Sequence, residues 1–329
     1  MPTAPEHFLL IRLSSIGDII HALPAASALA EAHPQAEITW AVESRYALLL
    51  AGNPSVHKRI LIDTIGWRER IFSKRMFSEL AAAASAIRAI RYDAVIDFQG
   101  LIKTGFISWL ARSPRRIGYG RSPHREPGAG IFYTEEVPLR AGMHAIEENL
   151  ALAGRLGAQA GAWKFPLPSR EEDERSVEAR LSAFGAKEVI IVNPGGGWMA
   201  KRWAPANYAS LLKRMPQAMP APMYRAERVP AIVLTGSPSE EKSIAAILSH
   251  SGCSGARYFA STLGEYIALA RRARLFIGGD TGPMHIASAL GVPVVAIMGP
   301  TDPARNGPFS HMDIALSNRA PVNHSRRAR

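Results

Sequence analysis

The chain has 329 residues, 47% of them hydrophobic, and its 39 Lys and Arg against 28 Asp and Glu leave a formal net charge of +11 at pH 7. This length suits two domains better than one core, and no apolar run reaches the roughly 18 residues that a membrane-spanning helix requires. The single cysteine, Cys253, excludes an internal disulfide and a multi-cysteine metal site, and it predicts a cytosolic protein.

The basic excess is concentrated between Gly66 and Arg125, where twelve Lys and Arg stand against four Asp and Glu, a net of +8. Such a segment is expected to face nucleic acid, an anionic membrane surface or a phosphorylated substrate, although a solvated basic surface has the same composition. The segment lacks the aromatic pattern of single-strand binders and any helix-turn-helix signature, so nucleic acid is the weakest of these alternatives.

The first half of the chain alternates strands with helices. A buried-type strand at 8–13 leads through Ser14-Ser-Ile-Gly17-Asp18 into a helix at 19–32, which opens a Rossmann-like unit without the full G-x-G-x-x-G fingerprint. Residues 67–77 are ambiguous, and 113–125 form a basic turn and loop. Further strands are predicted at 38–42, 60–62 and 94–97, and helices at 44–51, 78–90, 101–111 and 144–156.

A Gly-, Ala- and Pro-rich stretch at 157–168 precedes a charged run, and this shift in composition predicts a boundary between an N-terminal domain (1–165) and a C-terminal domain (166–329). The second half again alternates the two element types. Strands are predicted at 188–192, 231–234, 275–277 and 294–298, and helices at 172–184, 208–215, 241–249, 263–270 and from about 283. The pattern predicts two Rossmann-like α/β domains that face one another across a cleft.

Four turns of the second half (193–203, 235–241, 279–285 and 299–303) follow strand ends, the edge at which open α/β sheets bind ligands. Gly195-Gly-Gly197 would let a backbone approach a ligand closely, and Lys201 supplies a point charge suited to a diphosphate. Glu240 is placed to hydrogen-bond a hydroxyl such as a ribose OH. The combination predicts a nucleotide diphosphate site.

Asp280 is the exception within these turns. The helix that begins near Pro283 offers free N–H groups around Thr281 and Gly282, which favour an anion. A carboxylate at 280 would repel that anion, so Asp280 either fixes the loop, holds another ligand group or simply caps the helix.

Asp18 is the candidate general base of the first half. It lies in the turn after the first strand, next to Gly17. A carboxylate there is presented to the cleft and can take a proton from a hydroxyl. The alternative, that Asp18 only caps the following helix, is equally consistent with the local sequence. No His, Cys, Asp or Glu spacing resembles a metal site.

Six stretches stand out when the chain is taken as a whole: Ser14-Ser-Ile-Gly-Asp-Ile-Ile-His-Ala-Leu-Pro24, Asp97-Phe-Gln-Gly-Leu-Ile-Lys103, Arg125-Glu-Pro127, Lys201-Arg-Trp203, Asp280-Thr-Gly-Pro-Met-His285 and Gly299-Pro-Thr-Asp-Pro303. In consistent order over about residues 8 to 303, they resemble the lipopolysaccharide heptosyltransferases of glycosyltransferase family 9. Within the family, the N-terminal motif and the stretch from Asp97 are most similar to heptosyltransferase I.

The resemblance implies a two-domain GT-B fold and an inverting, metal-independent transfer that uses no cofactor. The donor is ADP-L-glycero-D-manno-heptose on the C-terminal domain, and the acceptor is the Kdo of Kdo-lipid A on the N-terminal domain. A heptosyltransferase II-type enzyme with a heptose acceptor remains an alternative. So does a non-catalytic nucleotide-sugar-binding protein, although Asp18 and Lys201 speak against it.

The resemblance also assigns residues on the donor side. Lys201 matches the residue that meets the donor phosphates, and Glu240 matches the ribose contact. Gly196 and Gly197 fall where the family often carries hydroxyl residues, so their phosphate contact would be made by backbone alone. The loop that holds diphosphate and heptose is matched by Asp280, Thr281, Gly282 and His285.

On the acceptor side, Asp18 matches the catalytic base. Lys103 and Arg125, with a looser match at Arg68 and Arg70, correspond to basic residues facing the phosphorylated acceptor. We expect a monomer on the cytoplasmic face of the inner membrane, attached peripherally where the basic segment meets anionic lipid.

The C-terminal stretch departs from the family pattern. The resemblance implies further helices after Pro303, the last of them bracing the N-terminal domain, whereas residues 304–329 show no helical pattern. An absent bracing helix would weaken the association of the two domains.

Overall fold

The structure, a computed structural model, describes residues 6–70, 72–120, 126–159, 161–218 and 230–317. The chain divides into two compact units, Met1–Pro168 and Ser169–Arg329. Each unit is built on one six-stranded, fully parallel sheet with helices packed against it.

The first unit begins with a strand and then combines strands with helices. Its strands are β1 (His7–Ile11), β2 (Glu37–Glu43), β3 (Lys58–Ile62), β4 (Ala94–Asp97), β5 (Arg115–Tyr119) and β6 (Glu135–Val137). Its α-helices are α1 (Ile16–Ala32), α2 (Thr64–Glu69), α3 (Lys74–Arg88), α4 (Ile102–Leu110) and α5 (Ala145–Ala153). Short 3₁₀ helices cover Ser44–Leu50, Pro127–Phe132 and Gly154–Leu156.

The second unit repeats this plan. Its strands are β7 (Val189–Asn193), β8 (Ala231–Leu234), β9 (Ala256–Tyr258), β10 (Ala273–Gly279), β11 (Val294–Met298) and β12 (Ile314–Ser317). Its α-helices are α6 (Glu171–Ala183), α7 (Pro205–Ala218), α8 (Glu241–Ser251), α9 (Leu263–Ala270), α10 (Gly282–Ala289) and α11 (Pro303–Asn306). One-turn 3₁₀ helices occupy Met199–Lys201 and Pro238–Glu240.

The two sheets share one strand order. The first runs β3-β2-β1-β4-β5-β6 and the second β12-β11-β10-β7-β8-β9, so that in each unit the first strand lies beside the fourth. This is the Rossmann order, in which the chain reverses direction between strands one and four, and ligands bind outside the carboxyl ends of those two strands. The fold therefore directs attention to the loops after β1 and β4 and after β7 and β10.

Continuous apolar runs explain why the central strands sit in the middle of each sheet. All five residues of β7 are buried, as are Phe8 to Ile11 of β1. A strand covered by helices on both faces is apolar at every position rather than at alternate ones. No helix within the described ranges combines the length and apolarity that a membrane crossing needs.

Several short elements were not predicted. The basic turn expected from residue 113 is wrong from Arg115 onward, because Arg115–Tyr119 forms β5 between β4 and β6. Its first two residues, Arg115 and Arg116, are at least partly exposed. Only three buried residues follow them, and so short a run does not predict a strand. The strands β6, β9 and β12 were missed as well, and the helix expected at 44–51 is a 3₁₀ helix over Ser44–Leu50.

Candidate functional sites in the two units

Asp18 lies in the first turn of α1, immediately beyond the end of β1. Its Oδ2 accepts hydrogen bonds from the N–H of Ser15 at 2.8 Å and from the Ser15 hydroxyl at 2.9 Å, while Oδ1 forms an ion pair with the Arg12 guanidinium. Because Asp18 is the third residue of the helix and Ser15 its N-cap, the carboxylate does close the helix end, as the capping alternative requires.

The capping role leaves Asp18 available to a substrate. Burial by itself would raise the pKa of this carboxyl, but the charge of Arg12 and the bonds from Ser15 hold it well below its usual range. The side chain nevertheless keeps 36% of its surface exposed. The lowered pKa keeps the carboxylate ionised but also makes it a weaker proton acceptor, so a role as base depends on its exposed part, which admits a hydroxyl group.

Arg12 ties the loops after β1 and β4 together. Its guanidinium donates to the Phe98 carbonyl as well as pairing with Asp18, and the side chain is almost fully buried. The Leu13 N–H donates to Gln99 Oε1 at 2.8 Å and reinforces the connection. Arg12 was not singled out from the sequence, although a lone cation at the end of an otherwise apolar strand is a usable signal.

Asp97 ends β4 beside this connection and has a structural role. Its Oδ1 accepts from the N–H of Gln99 at 2.8 Å and from that of Gly100 at 3.2 Å, and its Oδ2 accepts from the Tyr133 hydroxyl at 2.7 Å. The side chain is fully buried, and burial raises its pKa even though these hydrogen bonds oppose the shift. Asp97 shapes the loop that leads to Lys103.

Lys103 lies in the first turn of α4 and is half-buried. Burial lowers its pKa first, and the charge of Arg68 lowers it further, whereas Glu43 and Glu126 oppose the shift. Arg68 is exposed at the end of α2. The charge of Arg68 thus acts on Lys103, and both are predicted acceptor residues.

Tyr46 follows β2 on the same sheet edge as Asp18. Burial raises the pKa of the Tyr46 phenol, the Arg45 guanidinium 4.6 Å from the ring centroid lowers it, and the charges of Glu43 and Asp18 raise it further. Glu43 ends β2 and accepts a hydrogen bond from the Thr64 hydroxyl at 2.7 Å. Tyr46 was missed, yet the rule that strand ends share one edge would have found it directly after β2.

Arg70, the third predicted acceptor residue, is engaged within its own unit. The Arg70 guanidinium bonds to Asp63 at 2.8 Å and to Glu79 at 3.1 Å, which joins α2 to α3. Its role toward an acceptor stays a prediction. Arg125 lies outside the described residues.

In the second unit, Asp280 organises the loops after β7 and β10. Lys201 Nζ donates to Asp280 Oδ2 at 2.6 Å, and His285 Nε2 lies 3.1 Å from Oδ1. Burial would raise the pKa of Asp280, but His285 and Lys201 lower it well below its ordinary value. Of the readings left open above, the geometry favours loop fixation, since both oxygens are bonded and the helix N-cap is Thr281.

Glu240 holds the Gly-rich loop in place. Its Oε1 accepts from the Gly196 N–H at 3.0 Å, and its Oε2 accepts from the Ser237 N–H and hydroxyl, both at 2.8 Å. A Cβ at Gly195 would come within 2.5 Å of Glu240, so that glycine serves the carboxylate rather than a ligand. The ribose contact of Glu240 and the phosphate contact of Gly196 stay predictions, because their groups are engaged within the loop.

Lys201, Gly197 and the start of α10 are the parts of this edge that remain open. Gly197 is exposed with free space on its Cβ side, and the Lys201 side chain keeps 23% of its surface exposed. Thr281 and Gly282, partly exposed, begin α10, where helix N–H groups attract anions. Within the described ranges no three His, Cys, Asp or Glu side chains cluster as a metal site would.

The chain is similar in sequence to known proteins. The sequence profile of glycosyltransferase family 9 (heptosyltransferase) matches residues 80–329. Lipopolysaccharide heptosyltransferase 1 of Pseudomonas aeruginosa is 29% identical over 315 residues, which are 95% of this chain and 84% of the relative.

Two solved structures share the fold. The Escherichia coli heptosyltransferase WaaC with ADP-2-deoxy-2-fluoro heptose superposes with a TM-score of 0.76 at 24% identity, over 94% of this chain and 92% of the other. A glycosyl transferase family 9 structure from Veillonella parvula has a TM-score of 0.79 at 22% identity, over 97% and 87%. The α/β, GT-B class predicted from the sequence is confirmed by this likeness and by the two parallel sheets.

Proposed function

The chain belongs to glycosyltransferase family 9, and we propose that this glycosyltransferase moves L-glycero-D-manno-heptose from ADP-heptose to the Kdo of Kdo-lipid A, with inversion. The heptosyltransferase 1 of Pseudomonas aeruginosa supports the acceptor class, and the analogue bound by WaaC supports the donor. Family membership removes the alternative of a non-catalytic nucleotide-sugar-binding protein.

Asp18 is the observation that carries the proposal. Its carboxylate is held ionised by Arg12 and Ser15, retains an exposed third, and lies on the sheet edge that also carries Tyr46, Lys103 and Arg68. A general base beside cations is what a hydroxyl nucleophile on an anionic acceptor requires.

In the proposed reaction, Asp18 takes the proton of the acceptor hydroxyl as that oxygen attacks C1 of the heptose. The bond between C1 and the diphosphate oxygen breaks, and its electron pair leaves with ADP. Lys201 and the N-terminus of α10 stabilise the negative charge that develops on the leaving diphosphate. A single displacement of this kind inverts the anomeric centre.

Lys201 can bind a phosphate without releasing Asp280. Its ammonium donates to Asp280 at 2.6 Å, and because an ammonium has three donors, others remain for a phosphate. Asp280 then serves to position Lys201 and His285.

The enzyme would work at the cytoplasmic face of the inner membrane, attached through its basic segment.

The test is ADP release from ADP-heptose by the purified protein, with Kdo-lipid A or a heptose-extended acceptor supplied in turn. We expect release with Kdo-lipid A, and NMR of the product should show the inverted anomer. Turnover only with the extended acceptor would move the assignment to a heptosyltransferase II-type enzyme. No turnover with either acceptor would overturn the proposal.

A further inference from the structure

Helix α4 turns an apolar face outward. Ile102, Phe106 and Trp109 recur at the spacing of one helix face and keep 50%, 47% and 50% of their surface exposed. The Phe106 and Trp109 rings stack with centroids 5.5 Å apart, and Phe106 meets Phe132 edge-on at 6.2 Å. The aromatic side chains thus form an ordered surface rather than separate protrusions.

The neighbouring 3₁₀ helix, Pro127–Phe132, extends this surface. It packs on α4 at Gly105, where a Cβ would come within 2.8 Å of the Phe132 ring, and Ile131 beside that ring is 79% exposed. We call Ile102, Phe106, Trp109 and Ile131 the apolar face. Single exposed apolar residues are ordinary, but a contiguous patch marks a contact surface.

The surroundings of the apolar face are basic. Residues 102–118 contain four Lys and Arg and no Asp or Glu. Lys103 adjoins Ile102, Arg112 is exposed directly after α4, and Arg116 Nε donates to the Phe132 carbonyl at 2.8 Å. Two carboxylates lie alongside: Glu126, which accepts from the Ile102 N–H, and Glu136, near Gly130.

We propose that the apolar face seats in the headgroup–acyl boundary of a bilayer containing anionic lipid. Phe106 and Trp109 act as anchors there, because large aromatic rings favour that depth. Lys103 and Arg112 lie at the level of the lipid phosphates, to which basic side chains are attracted. The inference rests on the proposed function in one respect, that a lipid-linked acceptor would be met at this surface.

The position of α4 explains how such seating serves the reaction. The helix begins at Ile102 and Lys103, on the same sheet edge as Asp18, and extends from it by about 13 Å at 1.5 Å per residue. A bilayer against α4 therefore brings the edge with the general base to the headgroup layer. A lipid-linked sugar can then reach Asp18 without leaving the membrane.

A second copy of the chain fits the face less well. In a two-fold dimer the same patch is buried on both copies, and its Lys103, Arg112 and Arg116 against Glu126 and Glu136 leave a net positive charge on each side. Juxtaposed like charges oppose such a contact, whereas anionic lipid neutralises them. The charge pattern selects the bilayer as the occupant.

The experiment measures co-sedimentation of the full chain with vesicles, without any substrate. One set is equimolar phosphatidylethanolamine and phosphatidylglycerol, and the other is phosphatidylcholine alone. We expect binding to the anionic set that Phe106→Ser/Trp109→Ser weakens about 30-fold or more, because two half-exposed rings lose their apolar contact. Arg112→Gln should weaken it about fivefold.

Matched variants keep the test decisive. Ile314→Ser/Leu316→Ser removes two apolar side chains of similar exposure, 54% and 55%, from β12 of the second unit, and vesicle binding should not change. Ile131→Ser repeats the test at a side chain so exposed that folding is little affected. Circular dichroism checks that each variant is folded.

Three outcomes would overturn the inference: no binding to anionic vesicles, binding that survives loss of the apolar face, or a mass by light scattering that falls from dimer to monomer in Phe106→Ser/Trp109→Ser. Activity toward a delipidated Kdo acceptor is measured separately. Its absence would count against the proposed function, whereas lost vesicle binding with that activity intact would count only against the membrane face.

Discussion

Asp18 and Asp280 each hold a loop at the carboxyl edge of their own sheet but differ in exposure. Each follows the carboxyl end of a central strand, each is paired with a cation, and each has its pKa held well below the ordinary range. The Asp18 side chain keeps 36% of its surface exposed, whereas that of Asp280 keeps 6%.

This difference supports the proposal that Asp18 is the general base, whereas Asp280 is a positioning residue. Asp280 has both oxygens bonded within its unit, to Lys201 and His285, and cannot receive a substrate proton without losing those bonds. Asp18 is bonded too, but its exposed part admits another group. Accessibility therefore distinguishes the carboxylate proposed as general base from the one that fixes its loop.

The largest effect is expected at Asp18. Asp18→Asn should lower kcat by about 10²-fold or more, since the amide cannot take the acceptor proton, while donor affinity stays nearly unchanged. Asp93→Asn is the control, because Asp93 is an exposed aspartate that accepts from the His7 N–H at the opposite end of β1. Near wild-type turnover in Asp18→Asn would end its assignment as base.

The second prediction tests Lys201 as part of the donor site in the second unit. Lys201→Ala should weaken ADP and ADP-heptose together by about 1.5–3 kcal/mol, as expected for hydrogen bonds to a charged diphosphate. Calorimetry with ADP measures this, with the exposed Lys213→Ala of α7 as control. Unchanged ADP affinity would remove Lys201 from the donor site. Activity should survive EDTA, because the ammonium and the α10 N-terminus supply the positive charge.

The next prediction concerns Lys103 and Arg125, the basic residues predicted to face the acceptor. Lys103→Ala/Arg125→Ala should raise the acceptor KM about tenfold and leave the donor KM alone, since each removes a charged contact. In the parent enzyme the acceptor KM should rise with salt as screening grows. Arg88→Ala/Arg91→Ala removes the same charge from the same basic segment as control. An unmoved acceptor KM would leave Lys103 and Arg125 as surface charge.

The smallest effects distinguish Arg68 from Arg70. Arg68→Ala should raise the acceptor KM by about threefold, because it removes charge beside Lys103 at an exposed site. Arg70→Ala should instead lower the free energy of unfolding by about 0.5–1 kcal/mol, through loss of its pairs with Asp63 and Glu79. Thermal denaturation and steady-state kinetics measure the two, and exchanged outcomes would reverse the assignment.

The fold class and the loops that carry the candidate residues could be predicted from local sequence patterns. Short apolar runs such as 189–192, bounded by turn residues, favour strands covered on both faces, and the turns after such strands gather at one sheet edge. Because these are local patterns combined with a topological rule, Asp18, Lys201 and Asp280 could be singled out without coordinates. Short strands with exposed polar starts, such as β5, lack that signal.

The contacts of these candidate residues could be read only from the folded structure. The sequence left Asp18 between cap and base, and the structure shows a cap whose carboxylate is still exposed, held by the unpredicted Arg12. It also shows that the Glu240 carboxylate fills the space beside Gly195 and accepts a hydrogen bond from the N–H of Gly196. These pairings join loops as far apart as residues 12 and 98 or 201 and 280. Local sequence cannot encode such contacts, because the packing of the sheet brings the loops together.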